Sequence, residues 1–239
     1  FDADLVIGAD GARSFVREHH GIESREFPYG QTAVVTHLRP ERPHGRTALQ
    51  RFTRHGPLGM LPLADGRISV VWSIADTLAD KALDASDAEL AAMLMEASDF
   101  ALGTLEVAGP RGAFPLCARH ASQYVMPGLA LIGDAAHAVH PLAGQGANLG
   151  LQDAARLAEV VDTALGAGEF PGDRRVLRRY ERARKGENAT MLHFMTGLNR
   201  LFTTDSALVR ELRVHGMRLF NHSGPLRSHA VKVALGVGR

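Results

Sequence analysis

The segment Gly128–Asp153, GLALIGDAAHAVHPLAGQGANLGLQD, constrains this chain more than any other. Leu129 to Ile132 reads as a short buried strand and Gly133-Asp134 as a turn. A Pro- and Gly-rich loop follows, and a long helix is predicted over Gly146–Leu165. In that helix Leu149, Ala154, Leu157, Val160 and Val161 fall near the helical period. A strand–turn–helix corner of this kind presents a helix N-terminus to a polar or anionic ligand. Its first backbone N–H groups have no partner within the helix, its dipole end is positive, and glycines permit close approach. Asp134 then stands at the carboxyl end of a strand, where open α/β sheets bind ligands.

A second block, FDADLVIGADGARSFVRE, opens the chain. Leu5–Ile7 reads as a strand core, Gly8-Ala9-Asp10-Gly11 as a tight turn, and Ser14 as the N-cap of a helix. The pair GADGxxSxVR and GDAAHxxxPxxGQGxNLGxxD, in that order, resembles the aromatic-ring hydroxylases, the FAD-dependent monooxygenases of the para-hydroxybenzoate hydroxylase fold. The wording HPLAGQGANLGLQDA (His140–Ala154) is most similar to the ubiquinone-biosynthesis hydroxylases of that group. The likeness extends to GPLGMLPLADGRISVVWS (Gly56–Ser73), FPL (Phe114–Leu116) and RRYERARKGENATM (Arg178–Met191).

The resemblance implies an α/β (α+β) fold: an incomplete Rossmann-like FAD-binding layer, an inserted β-sheet substrate domain and C-terminal helices. Residues 1–22 would be the DG-motif part of the FAD-binding domain, 23–118 the substrate domain, 119–168 the GD-motif part and 169–239 a C-terminal helical region. Such enzymes open with a strand and a GxGxxG turn for the ADP half of FAD, and these 239 residues hold no such motif. Gly144-Gln145-Gly146 with Gly150 spells GxGxxxG and follows a loop, not a strand, so it does not fit the fingerprint. The expectation is that half of a dinucleotide-binding domain is missing upstream of Phe1.

For function, the resemblance implies hydroxylation of an aromatic ring through a flavin C4a-hydroperoxide, with O2 and NAD(P)H or another electron donor as co-substrates. The substrate it points to is a polyprenylated phenol of ubiquinone biosynthesis. It implies that Asp134, with Gly133, accepts a hydrogen bond from the ribityl chain. Pro141 and Gly144 would belong to the loop over the flavin face, and Asp10 and Gly11 would lie near the pyrophosphate. The amides of Gly146, Ala147 and Asn148 are the candidates to stabilise negative charge on the reduced ring. No Ser–His–Asp set or paired carboxylates is legible, so no catalytic side chain is assigned. Two alternatives stay open: a hydroxylase of small soluble aromatics, and a non-catalytic fragment that binds no flavin.

The remaining features narrow the setting. One cysteine, Cys117, excludes internal disulfides and suits a reducing compartment. No run reaches the ~18 apolar residues of a membrane span. Charge is split: residues 1–172 carry 13 Lys/Arg against 21 Asp/Glu, and residues 173–239 carry 14 against 5. The basic region reads either as a solvated helical face or as a surface for anionic lipid or an acidic partner, not for nucleic acid. Its leucines and phenylalanines read either as core or as a docking face. The implied location is cytoplasmic with peripheral contact to the inner membrane, among enzymes of the same pathway.

Four strands are predicted in the insert, over Gln31–Leu38, Thr47–Phe52, Gly59–Leu63 and Ile68–Ile74, with Ala64-Asp65-Gly66-Arg67 as a hairpin turn. A helix over Ser86–Ala97 carries a capping box of Ser86 and Glu89. Helices are predicted over Arg174–Phe202 and Ser206–Phe220, with a short one after Gly224-Pro225. His137 and His140 stand three apart without a third ligand nearby, so no metal site is expected. Arg17 reads as a phosphate contact or a solvated residue, Trp72 as core in preference to a stacking contact on substrate, and Asp153 and Glu159 as solvent-facing or cap contacts.

Overall fold

A computed structural model of the chain describes residues 2–140, 145–204, 206–225, 227–228 and 232. Among them are two sheets, each with its own helical cover. The smaller has strands β1 (Val6–Gly8), β8 (Val125–Met126) and β9 (Leu129–Leu131) in the order β1-β9-β8. β1 and β9 run parallel with Gly8 opposite Leu131. Helix α1 (Phe15–His19) follows β1, and a 3₁₀ turn, Gly133–Ala135, follows β9.

Two long helices, α4 (Gln145–Gly166) and α5 (Arg174–Thr203), cover the small sheet. Leu157, Val160 and Ala164 of α4 and Val176, Leu177 and Tyr180 of α5 are buried with Leu129, Ala130 and Leu131 in one core. Burying each such side chain contributes about 1.5–3 kcal/mol. Tyr180 donates its hydroxyl to the Leu131 carbonyl at 2.8 Å, so the large ring enters the core without an orphaned polar atom.

The larger sheet has seven strands among the described residues: β2 (Ser24–Pro40), β3 (Leu49–Thr53), β4 (Gly56–Pro62), β5 (Ile68–Ala75), β6 (Leu105–Val107), β7 (Gly112–Ala121) and β10 (His137–Ala138). The order is β10-β7-β2-β5-β4-β3, with β6 also paired to β2. Helices α2 (Asp76–Asp84) and α3 (Asp87–Ser98) cover one face. Beneath them Val34, Leu38, Ile68, Val70, Trp72, Ile74, Leu90 and Leu94 form a second core. The alternation puts Thr32, Val34, Thr36 and Leu38 of β2 on the helix-covered face and Gln31, Ala33 and Val35 on the other.

The four expected insert strands lie within β2, β3, β4 and β5, shifted by up to three residues for the middle pair. The 64–67 turn closes the β4–β5 hairpin with the Leu63 amide donating to Arg67 at 2.8 Å, and Gly66 sits at φ +87°. Ser86 and Glu89 form the full reciprocal cap of α3. α4 and α5 match their predicted spans within a residue, and α6 spans Ala207–His222. The short helix expected after Pro225 falls mostly outside the described residues.

Candidate functional site

Because β1 and β9 are parallel and adjacent, the turns that follow them emerge at the same edge. Asp10-Gly11 comes after one strand and Gly133-Asp134 after the other. In a parallel α/β sheet this edge is where ligands bind. Asp10 and Asp134 are both exposed there. Asp10 accepts from the Ser14 hydroxyl and from the Val16 amide at 3.0 Å, and Ser14 Oγ accepts from the Arg17 amide at 2.9 Å, capping α1. Desolvation pushes the Asp10 pKa up, but these hydrogen bonds outweigh it and the carboxyl is held below its ordinary value. Gly11 and Gly133 take φ +84° and +57°, conformations that cost a side-chain residue strain.

The α4 N-terminus faces the same turn. Gly133 and Gly150 approach so closely that a Cβ on Gly150 would stand 3.2 Å from the Gly133 Cα. Gly146 is partly exposed, with open space where a side chain would be, and Ala147 and Asn148 are exposed. The first amides of an α-helix have no partner within the helix, and Gly146 places no side chain over those of α4. Pro141 and Gly144 lie outside the described residues; the other seven expected positions lie in the turns after β1 and β9 and in the first turn of α4.

Two buried charged residues, both misread from sequence, hold this arrangement. Arg17, 2% exposed, is neither solvated nor free for phosphate. It donates to the Ala135 carbonyl and to the Ala12 carbonyl, each at 3.0 Å, and so ties the turn after β1 to the turn after β9. Asp153 is fully buried rather than solvent-facing. It accepts from the Gly133 amide at 3.1 Å, His137 Nε2 at 2.5 Å, Arg184 Nε at 2.7 Å and Asn188 Nδ2 at 3.1 Å. Burial alone would raise its pKa, but His137, Arg184 and Asn188 together lower it. The apolar period of α4 hides this, because position 153 falls on the buried stripe beside Leu149 and Leu157. The signal was Arg184 and Asn188, four apart in α5 and so on one helical face. Glu159 is exposed as expected and pairs with Arg156 at 2.8 Å.

A third polar group lies between the large sheet and α5. Gln31 Oε1 accepts from His140 Nε2 at 3.1 Å and from Asn199 Nδ2 at 3.0 Å. Tyr29 packs edge-on to His140 with ring centroids 4.8 Å apart, and its hydroxyl pairs with Thr196 Oγ1 at 2.9 Å. Burial lowers the His140 pKa to about 4, so the ring is neutral. His137 and His140 are both buried, at 1% exposed each. Trp72 is core, at 2% exposed.

The site edge has two exposed carboxylates, positive-φ glycines and the N-terminus of a long helix, an arrangement suited to a ligand with hydroxyls and an electron-rich ring edge. The sequence profile of the FAD binding domain family matches residues 1–194. The chain belongs to that family. Over 98% of its length this FAD binding domain chain is 40% identical to the ubiquinone hydroxylase UbiL of Rhodospirillum rubrum and 39% identical to the 3-demethoxyubiquinol 3-hydroxylase of Escherichia coli. It spans 54% and 60% of the lengths of those two relatives. The p-nitrophenol 4-monooxygenase PnpA of Pseudomonas putida shares the fold with a TM-score of 0.74 at 21% identity, over 98% of this chain and 60% of that one. The residues present fit the isoalloxazine and ribityl part of FAD: Gly146 leaves open space at the start of α4, and Asp134 is an exposed acceptor in the turn that Gly150 of the same helix approaches.

Proposed function

We propose that this chain is part of an FAD-dependent monooxygenase that hydroxylates an aromatic ring, with a polyprenylated phenol of ubiquinone biosynthesis as substrate. The observation that carries the reading is the convergence of the Gly133-Asp134 turn and the open α4 N-terminus, in a chain 39–40% identical to two hydroxylases named for ubiquinone and demethoxyubiquinol. Bound FAD supplies the two-electron chemistry that activates O2 and passes one oxygen atom to the ring.

The chain's own residues bind, orient and polarise. Asp134 accepts a hydrogen bond from a ribityl hydroxyl. The amides of Gly146, Ala147 and Asn148, at the positive end of the α4 dipole, favour negative charge on the reduced ring. Pro141 and Gly144 belong to the same loop by sequence. Asp10 and Gly11 lie toward the pyrophosphate, where NAD(P)H is taken as the electron donor. Residues 1–22 and 119–168 form the FAD-binding part, 23–118 the substrate-binding part and 169–239 the helical region. The basic, partly apolar C-terminal helices make peripheral contact with an anionic membrane, where a polyprenylated substrate resides.

The test uses the full-length protein carrying these residues, with FAD, NADPH and 18O2. The overall reaction is ArH + O2 + NADPH + H+ giving ArOH + H2O + NADP+. One 18O atom in the phenolic product supports the reading. A colourless protein, or NADPH oxidation yielding only hydrogen peroxide with every phenol tried, overturns it.

A further inference from the structure

His140 and Asn199 are 1% and 5% exposed, and each donates to the same Gln31 carbonyl oxygen. Donation from Nε2 fixes the histidine as the Nε2–H tautomer and leaves Nδ1 an acceptor. Asn199 likewise keeps Oδ1 as an acceptor. Both atoms are buried and have no hydrogen-bond partner among the described residues. Buried polar atoms are nearly always paired, so two orphaned acceptors in one cluster point to a missing donor. Neither orphaned atom carries a hydrogen, so neither can donate to a carboxylate or phenolate. Gln31 lies on the sheet face opposite α2 and α3. His140 follows β10, which leads directly from the Gly133-Asp134 turn. Half-buried Tyr29 adds an aromatic edge beside it.

We propose that His140 Nδ1 and Asn199 Oδ1 are the acceptors for the hydroxyl edge of a neutral phenolic ring, which selects uncharged phenols over aromatic acids and ethers. The inference rests on the hydroxylase reading and narrows its substrate class. His140 and Asn199 act here as binding residues: they hold the O–H and remove no proton. Gln31 positions both by accepting from His140 Nε2 and Asn199 Nδ2.

The experiment is isothermal titration of the full-length, FAD-loaded protein with three probes of equal chain length: 4-heptylphenol, its O-methyl ether and 4-heptylbenzoate. The phenol is expected to bind about 10- to 100-fold tighter than the ether, which cannot donate, with the benzoate weaker still. In His140→Phe or Asn199→Leu the phenol-to-ether ratio falls toward one. The wild-type ratio needs no variant to fold, so it decides by itself. Equal affinities for phenol and ether, with hydroxylated product still formed, overturn the acceptor pair and leave the hydroxylase reading standing, as a buried water satisfying both acceptors would produce. Tighter binding of the benzoate also overturns it. Binding of none of the three probes, with no product from the phenol, overturns both together.

Discussion

Asp134 and Asp153 are two carboxylates on opposite sides of one turn, and their burial separates their expected effects. Asp134 is exposed and has no hydrogen-bond partner to lose among the described residues. Asp134→Ala in the full-length protein should cost about 1.5–3 kcal/mol of FAD affinity, the worth of a charge-assisted hydrogen bond, with an unchanged circular dichroism spectrum. An FAD titration indistinguishable from wild type would remove Asp134 from the site. Asp153→Ala should act on the fold instead. It leaves the Arg184 guanidinium with the half-exposed Glu187 as its remaining carboxylate and frees the Gly133 amide, for a loss of about 3 kcal/mol in urea unfolding. His140 adds a pH dependence. Its ordinary pKa of 6.5 falls to about 4 in the fold, so the unfolded chain binds the proton first. Stability is full above pH 6.5 and declines as pH drops to about 4, by about 3 kcal/mol at most. Asp153, held below its ordinary 3.8, acts only at still lower pH. His140→Phe should therefore reduce the slope of the stability profile between pH 6.5 and 4, read from urea midpoints, leaving the part due to His120, whose pKa burial also lowers, and the acid limb below it.

At the scale of elements, legibility followed local signal. α3 was readable to its cap because Ser86 and Glu89 form a reciprocal pair three residues apart. α2 was not, because its N-cap is Ala75, which makes no side-chain cap bond. β2 was half-read: Pro28 and Gly30 break the alternation, and the register with β7 shifts between Pro28 and Gln31 before pairing resumes. β7 itself, with Pro115, Arg119 and His120, lacks an apolar period, and the two-residue β10 is too short to carry one. The site edge was legible through glycines and exposed carboxylates. Its support was not, since Arg17, Asp153, Arg184 and Gln31 meet partners 31 to 118 residues away. The α4–turn contact yields a test at this scale. Gly150→Ala gains about 1 kcal/mol of helix propensity but must push the Gly133 turn back by a few tenths of an ångström. Urea stability should change by less than about 1 kcal/mol while FAD affinity falls. A loss of both in equal measure would mean that the close approach serves packing alone.

For the whole molecule, the open question is what the exposed end of the helical region meets. No helix among the described residues is long and apolar enough to cross a membrane. α6 is nevertheless poorly covered: Leu212, Met217 and Leu219 are 63%, 53% and 75% exposed, and Leu201 at the end of α5 is 41% exposed. This excludes the core reading for those residues, while the side chains of Leu208 and Arg210 lie outside the described part. The helix is held by Phe202, which stacks on Phe52 at 4.0 Å, and by Arg213, which lies over Phe202 and donates to the Leu201 and Phe202 carbonyls at 3.0 Å. Arg213 is therefore an anchor of α6 and a poor probe of surface charge. Arg218, Arg227 and Lys232 are exposed and suit the purpose. Leu212 and Leu219 stand seven residues apart on one helical face, in a region with 14 basic against 5 acidic residues. That combination fits an interfacial helix on anionic lipid, each basic residue contributing about 1 kcal/mol within a Debye length. The full-length protein should sediment with phosphatidylglycerol vesicles at low salt and be released as salt is raised, with Arg218→Glu, Arg227→Glu and Lys232→Glu together weakening the association by tenfold or more. Leu212→Ser with Leu219→Ser should weaken it too, without changing the salt dependence, because those leucines contribute area and no charge. Equal partitioning to neutral and anionic vesicles, or none to either, would mean that the charge asymmetry is a solvated face and that the exposed leucines of α6 serve a protein partner instead.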